Sequence, residues 1–214
     1  MSESWDAVVV GAGPNGLVAA LTLARAGWRV VLYEANEHPG GGARTEELTL
    51  AGFAHDVCSA IHPLGLASPA LRNLGLESVG VTWIQPDAPL AHTLRPEQAV
   101  MLERSVSATA AGLGVDGKAW TRLFAPGVDA GFSLTDSVLA PLTIPPAHPI
   151  ELARFARHAV RSAESLSRSQ FRGELGPALL AGLSAHSVLP LSAAATAGVG
   201  MLLGTLGHSV GWPL

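Results

Sequence analysis

Apolar positions fall into two patterns along the chain. The first is a short unbroken run, Ala7-Val8-Val9-Val10, that ends at Gly11. A run of this kind with no alternation predicts a strand of a parallel sheet, buried on both faces. From Pro14 to Ala26 the apolar residues recur at helical spacing, with Leu17, Ala20, Leu21 and Ala24 on one face and Gly27 as the stop. A second apolar run, Arg29 to Tyr33, closes on Glu34. Strand, helix and strand in about thirty residues predict a right-handed βαβ unit.

Beyond it the pattern loosens. His38 to Gly42 is a loop, and Thr45 to Phe53 reads as a hairpin turning at Ala51-Gly52. Ser68 to Leu74 predicts a short helix with Ser68 as cap and Pro69 at its first position. Val79–Ile84, Leu90–Leu94 and Ala99–Leu102 predict a small antiparallel sheet. Helices are expected over 105–113, 116–124, 150–165 and 174–183. The proline-rich loop from Pro141 to Pro149 is the clearest internal break. The expected organisation is a βαβ region over 1–80, then a region of small antiparallel sheet followed by helices over 81–214.

No Asp, Glu, Lys or Arg occurs after Glu174. The stretch from Val188 to Leu206 is as long as a membrane span. It is rich in Ala, Gly and Ser and has no flanking basic or aromatic anchors, so two buried helices, interrupted at Pro190 and at Gly198-Val199-Gly200, are expected instead. The final residues, Gly207 to Leu214, have no polar tail and read as a domain cut in the middle.

Composition sharpens this. Charged residues make up 14% of the 214 residues, against roughly a quarter in average globular chains. With mean hydropathy at +0.34, the chain is expected to cover much of its surface against another element, an apolar substrate or a membrane surface. The net charge of -4 and the lack of a Lys/Arg run exclude nucleic acid as a partner. One cysteine, Cys58, excludes a disulfide framework, a redox cysteine pair and a thiolate zinc site. The start, Met1-Ser2-Glu3-Ser4-Trp5-Asp6, is acidic and lacks the basic region of a signal peptide, so the cytoplasm is the expected compartment.

The chemistry lies in the first turn, Gly11-Ala12-Gly13-Pro14-Asn15-Gly16. Gly11 permits the turn out of the strand. Gly13 lets the backbone approach a pyrophosphate, and Gly16 lets the helix pack on the sheet. Helix N–H groups and the dipole would hold the phosphates. Glu34, 23 positions after Gly11, stands where a carboxylate accepts hydrogen bonds from the adenosine ribose. This pattern allows FAD or NAD and disfavours a 2′-phosphate. A second motif, Ala35-Asn36-Glu37-His38-Pro39-Gly40-Gly41-Gly42-Ala43-Arg44-Thr45, favours FAD, because its glycines would bring another backbone segment to the pyrophosphate. Arg44 could add positive charge there. His55 and Asp56 are neighbours on a strand and face opposite ways, so they are not a ready acid–base pair.

Gly11 to Gly16, Glu34 and Gly41-Gly42-Ala43-Arg44-Thr45 resemble the N-terminus of the flavin amine oxidase and phytoene desaturase superfamily. Gly41 to Pro63 resembles the phytoene dehydrogenase-like oxidoreductases in particular. The resemblance covers residues 5–65 and implies a Rossmann-like α/β FAD domain joined to a mixed substrate domain. It implies that Gly11, Gly13, Gly16 and Glu34 hold the ADP moiety. Ala12, Pro14, Asn15 and Ala35 count with them. Gly41, Gly42, Ala43, Arg44 and Thr45 would flank the pyrophosphate and ribityl chain, and Ser59, Ala60 and His62 would lie near the flavin ring. The implied reaction passes hydride between a C–H bond of an apolar, polyene or lipid-like substrate and the flavin. Family members carry a further FAD-contacting segment that this chain lacks. It is therefore expected to be an N-terminal fragment or a truncated gene product, and a second chain that completes the fold is a candidate partner. A non-catalytic dinucleotide-binding module and an NAD-dependent dehydrogenase are the alternatives.

Overall fold

A computed structural model describes residues 4–141 and 143–214. Met1-Ser2-Glu3 of the acidic start and Leu142 of the proline loop lie outside the described residues. The chain divides into two compact units, Met1–Ile61 and His62–Leu214.

In the first unit, strand β1 (Ala7–Val10) pairs in parallel with β2 (Val30–Tyr33), from Ala7 opposite Val30 to Val10 opposite Tyr33. Helix α1 (Pro14–Arg25) makes the crossover between them. Pro14 sits at the start of α1, where a missing N–H costs nothing. Gly27 follows the C-cap residue Ala26, and the N–H of Trp28 closes the helix end on the Leu23 carbonyl at 3.1 Å. The βαβ unit is therefore as expected, but its burial is not. Val8 and Val10 are 60% and 82% exposed, so β1 is not the doubly covered strand its apolar run predicts. The cause is the sheet itself, which has two strands among the described residues. Likewise, Leu17 and Ala20 of the expected helix face are half-buried, while Leu21 and Ala24 stay exposed.

The hairpin also forms, but with its strands displaced outward. Strand β3 (Thr45–Glu46) pairs antiparallel with β4 (His55–Asp56), and the chain turns at Leu50–Phe53.

The second unit holds the hydrophobic core. Helix α2 (Pro63–Ala67) leads into α3 (Pro69–Arg72), with Ser68 at the cap position but making no side-chain cap bond. The strand expected over Val79–Ile84 is absent. Leu76–Val79 form a 3-10 turn, after which only Ile84 makes ladder-like backbone bonds, with Leu214 (2.8 and 3.2 Å). The small sheet is thus one hairpin, β5 (Leu90–Arg95) against β6 (Gln98–Leu102).

Seven helices follow among the described residues: α4 (Val106–Gly112), α5 (Gly117–Asp129), α6 (Phe132–Leu139), α7 (Pro149–Ala159), α8 (Ala163–Gln170), α9 (Leu175–Ala185) and α10 (Thr196–Ser209). Three sequence expectations need correction. Helix α5 runs on through Pro126 instead of stopping at Phe124. The helix expected over 150–165 is two, because Ser162 caps α8 by accepting from the Ser165 N–H at 3.1 Å. Gly198-Val199-Gly200 does not break α10. These glycines let it pack closely: a Cβ at Gly198 would crowd Ala159, one at Gly200 would collide with Ser184, and one at Gly204 with Phe124.

Trp120, Phe124, Leu179, Leu180, Leu183 and Met201 form the centre of the core. Trp120 and Phe124 stack with centroids 4.1 Å apart. Asp116 is 1% exposed and is satisfied by backbone N–H groups of Arg172 (2.7 Å) and Gly173 (3.1 Å), which ties the α8–α9 junction to the start of α5. No helix among the described residues is long and apolar enough to cross a membrane.

Candidate functional site

The candidate site is the glycine turn of the first unit. Gly11 leaves β1 with φ +96°, a conformation that a side chain rarely adopts, and its N–H donates to the Tyr33 carbonyl at 2.7 Å. This aims the chain into α1. A Cβ on Gly16 would run into the Gly11 carbonyl, so only glycine lets the helix start this close to the strand. The N-cap residue Gly13 offers no side-chain cap, and the first turn of α1 holds no acid. The first N–H groups of any helix lack intrahelical acceptors. A helix start of this kind, with its dipole, can receive an anion.

The second glycine segment returns to this turn. The Gly40 N–H donates to the Ala12 carbonyl at 2.8 Å. Gly41 has φ +56°, and a Cβ there would lie 2.9 Å from Gly13 Cα. A Cβ on Gly13, in contrast, would meet nothing closer than Gly41 Cα at 3.8 Å. Gly13 is therefore not required by the protein's own packing. Its bareness leaves room for something beside it. Gly41–Ala43 form a 3-10 turn whose Gly42 carbonyl accepts from the Ser59 N–H at 2.8 Å.

Glu34 closes the third side. Its Oε2 accepts from the Ala12 N–H at 2.6 Å, and its Oε1 from the Asn36 N–H at 2.9 Å and Asn36 Nδ2 at 2.7 Å. These bonds, the Asn36 backbone first, then Ala12, the Asn36 side chain and the Ala35 backbone, bring its pKa down to about 2. The carboxylate is thus fixed, ionised and an acceptor at any working pH. Oε2, which holds a single donor, has capacity for another, such as a ribose hydroxyl.

Gly11, Ala12, Gly13, Gly16, Glu34 and Gly41 therefore come together. Pro14 and Asn15 are exposed at the start of α1, and Ala35 is exposed beside Glu34. The other expected positions have the following partners. Arg44 Nε donates to Glu46 at 2.7 Å, Thr45 Oγ1 to Asp56 at 2.9 Å, and Ser59 Oγ to the Ile61 carbonyl at 3.4 Å. His62 belongs to the second unit, where its N–H donates to the Pro213 carbonyl at 2.8 Å. His55 pairs with Thr49 and Asp56 with Thr45, so these two neighbours form no dyad. Asn36, which the sequence reading quotes in the second motif without giving it a role, holds Glu34, and Gly40 of the glycine triplet bonds Ala12. Nothing in the spacing singles out Asn36.

Residues 9–74 match the NAD(P)-binding Rossmann-like domain family. The fold is Rossmann-like and mixed α/β. A limonene dehydrogenase subunit of Castellaniella defragrans is 36% identical over 104 residues, which is 48% of this chain and 19% of that protein. Pyridine nucleotide-disulfide oxidoreductase domain-containing protein 2 of Mus musculus is 47% identical over 81 residues, 36% of this chain and 14% of that one. The chain thus matches under a fifth of the length of either relative. Among solved structures, putrescine oxidase bound to putrescine aligns over 94% of this chain and 41% of its own, with TM-score 0.56 and 19% identity. At that identity the likeness concerns the fold.

Proposed function

We propose that this chain supplies the ADP-binding part of an FAD-dependent oxidoreductase of phytoene dehydrogenase-like type. The observation that carries the reading is the return of Gly40-Gly41 onto the bare Gly13, opposite a fixed Glu34 carboxylate. A cradle with two glycine walls, a helix N-terminus and a ribose acceptor fits the ADP half of a dinucleotide. Gly13 and the first N–H groups of α1 would bind the pyrophosphate, and Glu34 the adenosine ribose. FAD, when bound, supplies a two-electron acceptor for hydride leaving a C–H bond. An apolar substrate is supported by the name of the limonene dehydrogenase relative. The cytoplasm, or the surface of a membrane, is the place we propose for it.

The test is calorimetric titration of the purified chain with FAD and with NAD. Preference for FAD of tenfold or more is expected, about 1.4 kcal/mol. Preference for NAD would return the chain to the nicotinamide dehydrogenases.

A second reading rests on the exposed parallel sheet, with Val8, Val10 and Tyr33 all more than half exposed. In it the chain is a non-catalytic dinucleotide-binding module that pairs with another polypeptide. Its signature would be FAD binding without reduction by any apolar substrate.

A further inference from the structure

A cavity of about 440 Å³ lies among α5, α6, α7 and α10. Its lining residues all fall between Arg122 and Thr205, so it belongs to the second unit and shares no residue with the glycine cradle. Its volume is that of an ordinary small-molecule site, roughly 300–1,000 Å³.

The lining is divided by chemistry. Leu123, Leu134 and Met201, all at most 6% exposed, give it an apolar wall. Arg122 on α5 and Arg154 and Arg157 on α7 are exposed and give it a cationic rim. Two acids, Asp129 and Glu151, also line it, so the guanidinium groups exceed the carboxylates by one. None of these five residues takes part in an ion pair among the described residues. His158 completes the rim. Its Nε2 accepts from Arg157 Nε at 3.0 Å, and its Nδ1 is buried without a partner among the described residues. Burial first, then the charges of Arg157 and Arg161, push its pKa down.

We propose that this cavity binds an amphipathic monocarboxylate, with its apolar chain along Leu123, Leu134 and Met201 and its carboxylate among Arg122, Arg154 and Arg157. A single negative charge offsets the one unmatched guanidinium. A dianion would meet Asp129 and Glu151. A cation would find three guanidinium groups at the mouth, and a purely apolar ligand would leave the rim unused.

The probe is decanoate, titrated into the whole chain by calorimetry, with decyltrimethylammonium as the charge-reversed control of the same apolar length. Saturable one-to-one binding of decanoate is expected, at least tenfold tighter than the cation. Replacing both Arg154→Gln and Arg157→Gln, which are exposed, should weaken decanoate tenfold or more while leaving the far-ultraviolet circular dichroism unchanged. Ala130→Trp, which fills the cavity at the end of α5, should remove binding. The proposal is overturned if decanoate does not saturate at millimolar concentration, if the cation binds as well, or if the double arginine variant binds decanoate undiminished.

Discussion

Among residues 4–61 the only apolar side chain shielded to the level of a core is Ala12, whereas residues 62–214 bury Trp120, Phe124, Phe171, Trp212 and a set of leucines. The first unit is held by backbone. Parallel ladder bonds, the Gly40 to Ala12 bond and the carboxylate of Glu34 fix its turn. The second unit is held by side chains packed helix on helix. A candidate site made of N–H groups and bare Cα atoms needs little core of its own, whereas the helical unit draws its stability from packed side chains.

Substitutions can break or sharpen that contrast. The largest effect should come from Phe124→Ala, which empties the space between Trp120 and Gly204 and should cost about 3–5 kcal/mol in the second unit by denaturant titration. Leu21→Ala, at an exposed position of the first unit, should stay within ~0.5 kcal/mol. Equal costs would erase the distinction. Next is Gly13→Val. The turn has room for a Cβ at this position, so the fold should persist, checked by circular dichroism, while FAD affinity falls about a hundredfold, or ~2.7 kcal/mol. A variant that retained affinity would remove Gly13 from the cradle.

Glu34→Ala should weaken FAD about tenfold, in line with a lost charge-assisted hydrogen bond. Because the folded pKa of Glu34 is depressed from 4.5 to about 2, its contribution to stability is complete above pH 4.5 and is lost as pH falls toward 2. An acid titration of Glu34→Gln should lack that component.

A smaller effect belongs to His208 in the core. It accepts from Trp120 Nε1 at 3.0 Å and bonds the Glu103 carbonyl through Nδ1 at 2.9 Å. Burial pushes its pKa below the ordinary 6.5, outweighing the Glu103 and Arg104 backbone bonds that raise it, and the nearby Arg104 charge lowers it further. Its contribution is therefore complete above about pH 6.5 and declines below it, as the unfolded chain takes up the proton first. Stability of the second unit unchanged between pH 7 and pH 5 would contradict this.

Much of the first unit was legible because glycine and acid positions there answer to backbone geometry, which sequence spacing encodes directly. β1 matched its expected limits, and α1 and β2 came within a residue of theirs. Burial was not legible, since the apolar run of β1 says that a strand can be covered on both faces, not that covering strands lie within this chain. The second unit was harder. Helix α6 was missed because Phe132–Leu139 is short and mixes Ser, Thr and Asp with its apolar residues. The glycines of α10 read as a break because a lone glycine costs helix propensity, and only the tertiary contacts at Ser184 and Phe124 reveal the compensating close approach. Asn36 was invisible for a similar reason: its role is to hold Glu34, two residues away.

The most direct measurement is mass spectrometry of the ligand released on denaturing the purified chain, run beside the Gly13→Val variant and paired with an absorption spectrum before release. The account predicts a flavin spectrum and FAD from the native sequence, and neither from the variant. NAD from the native sequence, or FAD from both proteins alike, would contradict it.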